Sequence, residues 1–331
     1  MRPVYLACID YNGAWGTYME NDIYSKQLQQ KRLDDAGDFP KVVLVDTVSM
    51  CNLRCSMCFH QNMKRKKGIM PWDLYTKIID EIAVENKDAR VWLVFFGDPF
   101  VIKRTKPNIF EEIAYAKNKG LTDAVLNTNA NLMDEEVSHR LIEAGLDAIY
   151  IGLDAFNAET YVKLRVGGDY QKVVANVLGL LRLKKELTSN KPGVYVQFVV
   201  MDENEKEVDD YKRFWSEQGA IVKIRPKVSW AGMIDAPKQI LDNKDRWPCH
   251  WAMQTLSITD TGDVVLCPCD LDARFVAGNV RKSTLKEVWN GKLKELRTLH
   301  LTGQYEKLPE MCRICRDWQS ARSDYYSLNP L

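Results

Sequence analysis

Three cysteines fall within eight residues, Cys51-Asn52-Leu53-Arg54-Cys55-Ser56-Met57-Cys58, in the spacing C-x3-C-x2-C. Three thiolates can hold an iron–sulfur cluster by three of its irons and leave a fourth without a protein ligand. An open coordination position is what separates a metal site that does chemistry from one that only holds a fold. A structural zinc site is the competing reading of the same spacing, with His60 near enough in sequence to serve as a fourth ligand. A second set lies far downstream: Cys249, Cys267, Cys312 and Cys315. Four thiolates suit either a structural zinc or a second cluster with no open position. Two of the nine cysteines remain. Cys8 is far from both sets and reads as a packed thiol. Cys269 is separated from Cys267 only by Pro268, so in an extended segment the two side chains point the same way.

These residues must be carried by something, and the chain between them has a rhythm. Strand-like apolar runs occur at Val42–Val48, Val91–Phe96, Ala124–Asn127, Ala148–Leu153, Val194–Val200 and Ile221–Arg225. Amphipathic stretches at 72–86, 108–119, 133–144, 169–187 and 205–218 alternate with them; in the first, Leu74, Ile78, Ile79 and Ile82 recur at helical spacing. Alternation on this scale predicts βα units and a parallel sheet, curled by right-handed crossovers into an open, partial (β/α)6 TIM-like barrel. In such folds the site lies at the carboxyl ends of the strands. Cys51, Cys55 and Cys58 follow the first strand, Gly97-Asp98-Pro99 the second, Thr128-Asn129 the third and Asp154 the fourth. Singly each reads as a turn residue; together they share one rim.

Beyond residue 232 the rhythm stops. A hairpin turning at Asp260–Gly262 and one helix over 284–299 are predicted there, too little to fold without a staple such as the cysteine quartet. The expected organisation is an N-terminal extension over 1–40, rich in aromatics, a barrel over 41–232 and a small auxiliary domain over 233–331. A net charge of +1 gives no global field toward nucleic acid or an anionic membrane. No apolar run approaches the roughly 20 residues of a membrane span, and the N-terminus does not read as a signal peptide. The expected setting is the cytoplasm, where cysteines argue for metal or redox chemistry over a disulfide framework.

With these motifs the chain resembles the radical S-adenosylmethionine (SAM) enzymes that carry a C-terminal twitch domain, a short relative of the SPASM domain. The resemblance spans roughly residues 41–320 and includes Cys249, Gly262, Cys267 and Cys312-x2-Cys315, with Phe156–Tyr161, Arg165–Gly168 and Gly278–Trp289 similar to the family's linking segments. It implies two [4Fe–4S] clusters, one on Cys51, Cys55 and Cys58 and one on Cys249, Cys267, Cys312 and Cys315. It implies SAM on the open iron, with Met57 against adenine, Gly97-Asp98-Pro99 in place of the family's Gly-Gly-Glu-Pro segment, Asn129 and Asp154 near the ribose and Arg165 on the carboxylate. An electron donor such as flavodoxin or ferredoxin and a small-molecule substrate follow. The chain is similar to the twitch dehydrogenases of aminocyclitol and aminoglycoside pathways and to sugar epimerases with a cysteine donor. Arg225 is then a candidate to assist deprotonation and Cys269 to return a hydrogen atom; an ordinary salt bridge and an incidental thiol are the bland readings. Peptide modification ranks lower, since 40 residues are too few for a winged-helix recognition domain. A zinc-stapled binding protein is the non-enzymatic alternative. Trp230, Trp251 and Tyr195 suit a sugar pocket, though core packing explains them equally well.

Overall fold

The computed structural model describes residues 6–9, 15–18, 34–236 and 246–322. Most of the extension over 1–40 and the side chain of Cys8 lie outside the described residues; what is described there is an antiparallel pair, β1 (Leu6–Ile9) and β2 (Trp15–Tyr18). Six strands then run parallel in chain order: β3 (Val42–Val45), β4 (Arg90–Trp92), β5 (Asp123–Thr128), β6 (Ala148–Gly152), β7 (Gly193–Val200) and β8 (Ile221–Pro226). The fold is α/β, a partial barrel with a C-terminal addition.

Alternation along each strand sorts two layers. Val43, Val45, Val91, Ala124, Leu126, Ile149, Ile151, Val194 and Val196 join the large core beneath the helices. Leu44, Trp92, Val125, Ala148 and Tyr150 form a separate inner cluster. Both faces are covered, so the strands read as nearly continuous apolar runs. The rings of Trp92 and Tyr150 lie 4.7 Å apart, and Tyr150 stacks on Tyr195 at 4.4 Å. Arg90 donates to the Tyr150 hydroxyl and pairs with Asp123. Tyr195 therefore belongs to the packed barrel interior, as its core-packing reading had it.

The helices start where local chemistry favours it. Helix α1 (Trp72–Asn86) follows Pro71 and buries Leu74, Tyr75, Ile78, Ile79 and Ile82. Helix α2 (Ile109–Asn118) opens with a capping box between Asn108 and Glu111. Helices α3 (Glu135–Glu143), α4 (Ala158–Leu164), α5 (Tyr170–Glu186) and α6 (Val208–Glu217) complete the barrel.

The C-terminal addition joins the barrel through the sheet. Beyond the short α7 (His250–Gln254), β9 (Thr255–Ile258) pairs in parallel with β3, Val42 opposite Thr255 through Val45 opposite Ile258. Strands β10 (Asp263–Val265) and β11 (Val276–Asn279) continue antiparallel, giving nine strands in one sheet. The helix expected over 284–299 is two, α8 (Leu285–Asn290) and α9 (Lys292–Leu301), broken at Gly291. Apolar spacing carries across the break, which is why a single helix was expected.

One core residue gives the fold a pH dependence. Glu112 of α2 is 1% exposed, and burial pushes its carboxyl from 4.5 up to about 8 against an opposing hydrogen bond from Thr47. A carboxyl whose folded pKa is raised holds its proton in the folded chain where the unfolded chain has lost it, so stability falls as pH rises from about 4.5 to about 8. Glu112→Gln is expected to leave the melting temperature near pH 5 little changed and to raise stability at pH 8, by an amount on the order of a few kcal/mol. Thermal melts across that pH range check it; parallel curves for the two proteins would refute it.

Candidate active site

The loop after β3 is pinned before its cysteines are reached. The Asp98 amide donates to the Met50 carbonyl at 2.8 Å, fastening the segment after β4 to the residue preceding Cys51. Further on, the Arg54 and Ser56 amides donate to the carbonyls of Val166 and Leu164, both at 2.9 Å. His60 Nε2 bonds the Ser49 carbonyl at 2.8 Å, so that nitrogen is engaged with backbone. Leu53, Cys55, Met57, Leu164 and Met201 form an apolar floor under the loop.

Cys51, Cys55 and Cys58 line one open cavity of about 1180 Å3 at the carboxyl ends of the strands, together with Met57, Gly97, Asp98, Asn129, Arg165, Arg225 and Cys269. Asn127, Gly152 and Gln197 reach it from β5, β6 and β7. Burial pushes the Cys51 thiol up to about 12 and Cys58 up to about 11, so neither ionises in the protein alone. A cationic metal body is what would make thiolates of them. Among the described residues no three His, Cys, Asp or Glu side chains converge as a single-ion site. Three thiolates, one for each of three irons, suit a cluster whose fourth iron stays open.

The remaining expected residues divide. Asn129 donates to Asn52 Oδ1 at 2.8 Å and lies 3.8 Å from Cys51 Sγ, and Met57 lines the cavity. Arg165 donates to Cys55 Sγ at 3.5 Å and pairs with Asp154. Gly152 gives the guanidinium its passage, since a Cβ there would stand 2.1 Å from Arg165 Nη2. Asp154 itself is fully buried, does not line the cavity, and accepts from the Val199 amide at 2.7 Å. It adjoins the site through Arg165. Asp98 is 1% exposed and its carboxylate is spent internally, on the Phe100 and Asn129 amides and the Thr128 hydroxyl at 2.9 to 3.1 Å. What its segment offers the cavity is chiefly backbone.

Arg225 donates to Gln197 Oε1 at 2.5 Å, and Gln197 donates in turn to Asn127 Oδ1 at 3.0 Å. This polar row across the cavity floor was missed in the sequence; a glutamine inside the apolar run Val194–Val200 was the available signal. Trp230 and Trp251 do line the cavity, and Trp230 Nε1 donates to the Met57 carbonyl. Arg65 is a partly buried link: it pairs with Asp46 and Asp260 and donates to the Leu271 carbonyl. It ties the cysteine loop to the C-terminal hairpin.

Cys249, Cys267, Cys312 and Cys315 line a second, smaller cavity. Burial raises the Cys249 thiol to about 11 and lifts Cys312 and Cys315 well above their usual value. Cys269 and Trp251 line both cavities and stand between them.

A family profile described as the radical SAM superfamily matches residues 45–214, and one described as an iron–sulfur cluster-binding domain, SPASM, matches residues 249–316. The first covers more than half of the chain, which belongs to the radical SAM superfamily. Its cofactors are accordingly SAM and a [4Fe–4S] cluster, with further iron–sulfur binding in the SPASM region. Among curated relatives, a tungsten-containing aldehyde ferredoxin oxidoreductase cofactor-modifying protein of Pyrococcus furiosus is 28% identical over 53% of this chain and 48% of its own length. A probable GTP 3',8-cyclase of Methanococcus maripaludis is 27% identical over 53% of this chain and 54% of its own. The chain thus spans about half the length of the curated relatives it matches. Solved structures agree on the fold: BtrN in complex with AdoMet and 2-DOIA has a TM-score of 0.58 at 17% identity over 84% of this chain and 93% of that one. SuiB of Streptococcus suis bound to S-adenosylmethionine has 0.64 at 13% identity over 91% and 79%. No helix among the described residues is long and apolar enough to cross a membrane.

Proposed function

We propose that the chain is a radical SAM enzyme acting on a C–H bond of a polar small molecule, a sugar or aminocyclitol, and that Cys269 returns a hydrogen atom to the substrate, making the reaction an epimerisation. The observation that carries this is the position of Cys269 on the wall shared by the open cavity and the cysteine-lined one. The residues assigned to the first cluster are Cys51, Cys55 and Cys58, in a barrel over 41–232; those assigned to the second are Cys249, Cys267, Cys312 and Cys315, in an auxiliary domain over 233–331. When bound, the first cluster and SAM supply a carbon radical able to abstract hydrogen from an unactivated C–H bond.

The chain's own residues do the rest. Arg165, held by Asp154 and passed by Gly152, presents a fixed cation for the SAM carboxylate. Met57 offers an apolar contact for adenine, and Asn129 and the backbone of Gly97-Asp98-Pro99 offer polar ones on the same rim. Arg225, Gln197 and Asn127 present donors and acceptors on the floor, suited to hydroxyl or amino groups. Cys269 holds a hydrogen atom on Sγ at one wall. An electron donor of the flavodoxin or ferredoxin type would supply the electron for SAM cleavage and a second electron that, with a solvent proton, returns the Cys269 thiyl left by hydrogen-atom donation to the thiol.

Oxidation is the second reading, with Arg225 assisting deprotonation; the nearness of the two cavities and the likeness to BtrN, crystallised with 2-DOIA, favour it. Reaction in heavy water with candidate sugars and aminocyclitols separates the two. Epimerisation inserts one solvent deuterium at the inverted carbon, by way of the exchangeable thiol, whereas oxidation yields a ketone without that label. Cys269→Ala is expected to stop product formation while SAM cleavage continues. Unchanged product from that variant removes Cys269 from the mechanism, and absence of SAM cleavage under reduction by the wild-type chain removes the proposal as a whole.

A further inference from the structure

The smaller cavity is lined by two ring N–H groups that the proposed reaction does not use. His300, in the last turn of α9, is fully buried and lines this cavity, as does Trp318, also fully buried. Among the described residues, neither His300 Nε2 nor Trp318 Nε1 has a hydrogen-bond partner. A buried N–H without an acceptor is costly, and two lining one small cavity call for an acceptor inside it.

The histidine's tautomer can be read from its other nitrogen. The Cys249 backbone amide donates to His300 Nδ1 at 3.5 Å. A nitrogen that accepts carries no proton, so this contact favours the tautomer with the proton on Nε2. Nε2 is then a donor and cannot be a metal ligand. The indole Nε1 is a donor in any case. Both side chains are held: Tyr305 packs edge-on to His300 with ring centres 6.0 Å apart, and Trp247 packs edge-on to Trp318 at 4.6 Å. An anionic acceptor in the middle of the cavity would satisfy both at once.

We propose that His300 Nε2–H and Trp318 Nε1–H donate hydrogen bonds to sulfur atoms of the cluster held by Cys249, Cys267, Cys312 and Cys315, and so raise its reduction potential. This rests on the reading that the quartet holds an iron–sulfur cluster. Hydrogen bonds to the sulfurs are one of the protein's levers on potential, because they favour the more negative, reduced state. Both residues act on the cluster's electronics and not on substrate.

The test uses the full chain with Cys51, Cys55 and Cys58 all replaced by alanine, loaded anaerobically, so that only the second cluster is read. Iron and sulfide content are measured first, then the midpoint potential by spectroscopic redox titration. The parent should hold about four irons; zinc, or no iron, in their place would overturn the cluster reading itself. Trp318→Phe keeps the ring and loses the N–H, and His300→Leu loses the donor. Each is expected to keep its iron and to shift the potential downward, while His300→Gln, which restores an N–H, recovers part of the shift. Unchanged potentials in both Trp318→Phe and His300→Leu would overturn the donor role with the cluster reading intact. Loss of iron from His300→Leu, with iron retained in Trp318→Phe, would make His300 a ligand and overturn its role as donor.

Discussion

Replacing Cys55 by alanine is expected to lower the iron content of anaerobically loaded protein from about eight atoms to about four and to abolish reductive cleavage of SAM. The loss is chemical and not one of folding. Cys55 is buried against Leu53, Met57, Leu164 and Met201, and deleting one sulfur from that floor costs on the order of 1 kcal/mol. The loop keeps its course without the thiol, because the Arg54 and Ser56 amides remain on the carbonyls of Val166 and Leu164. The Asp98 amide likewise stays on Met50. Iron analysis and 5'-deoxyadenosine formation, measured together, check the result. Retained SAM cleavage would remove Cys55 from the ligand set. A loss of all iron would mean that the two cysteine sets do not load independently.

Much of this arrangement was legible because it is written in local spacing. The C-x3-C-x2-C run, the glycine and amide residues after strands and the alternation of apolar runs with amphipathic helices are all features of neighbours in sequence, and the structure brings their carriers to one rim. The helix over 72–86 was legible to its ends, since Pro71 opens it and the apolar stripe of Leu74, Ile78, Ile79 and Ile82 runs through it. What stayed hidden depends on partners distant in the chain. Nothing in Thr255–Ile258 says that it will lie parallel to Val42–Val45 instead of forming a free-standing hairpin. In sequence Arg65 stands among Lys64, Lys66 and Lys67 like a solvated cation; only the approach of Asp46, Asp260 and Leu271 makes it a partly buried link. Asp98 and Asp154 sit at strand ends, where carboxylates suggest ligand contact. Their burial turns them inward, one to clamp Thr128 and Asn129, the other to hold Arg165. The orphaned donors on His300 and Trp318 are invisible in sequence, because an unmet hydrogen bond is a property of a packed cavity and not of a residue type.

The second large effect is expected from a glycine that the resemblance places in the SAM-binding segment and that the fold needs for a separate, steric reason. Gly97 is expected to tolerate no side chain: a Cβ there would stand 2.3 Å from the Val48 carbonyl oxygen and 2.4 Å from that of Met50. Both obstacles are backbone, and the Met50 carbonyl is already engaged with the Asp98 amide, so no rotamer change relieves them. Gly97→Ala must separate the segment after β4 from the loop that leads to Cys51. Overpacking against backbone costs on the order of 3 kcal/mol or more. Because the displaced loop also carries the triad, the variant should load iron poorly at the first site and lose SAM cleavage even where it still folds. Gly179→Ala is the matched control. Gly179 lies inside α5 with nothing within 4 Å of a new Cβ, so the same substitution there should stabilise the helix by about 0.5–1 kcal/mol. Thermal melts and iron content of the two variants, side by side, test the pair. Wild-type stability and iron loading in Gly97→Ala would show that the close approach of the two segments is not what holds the triad in place.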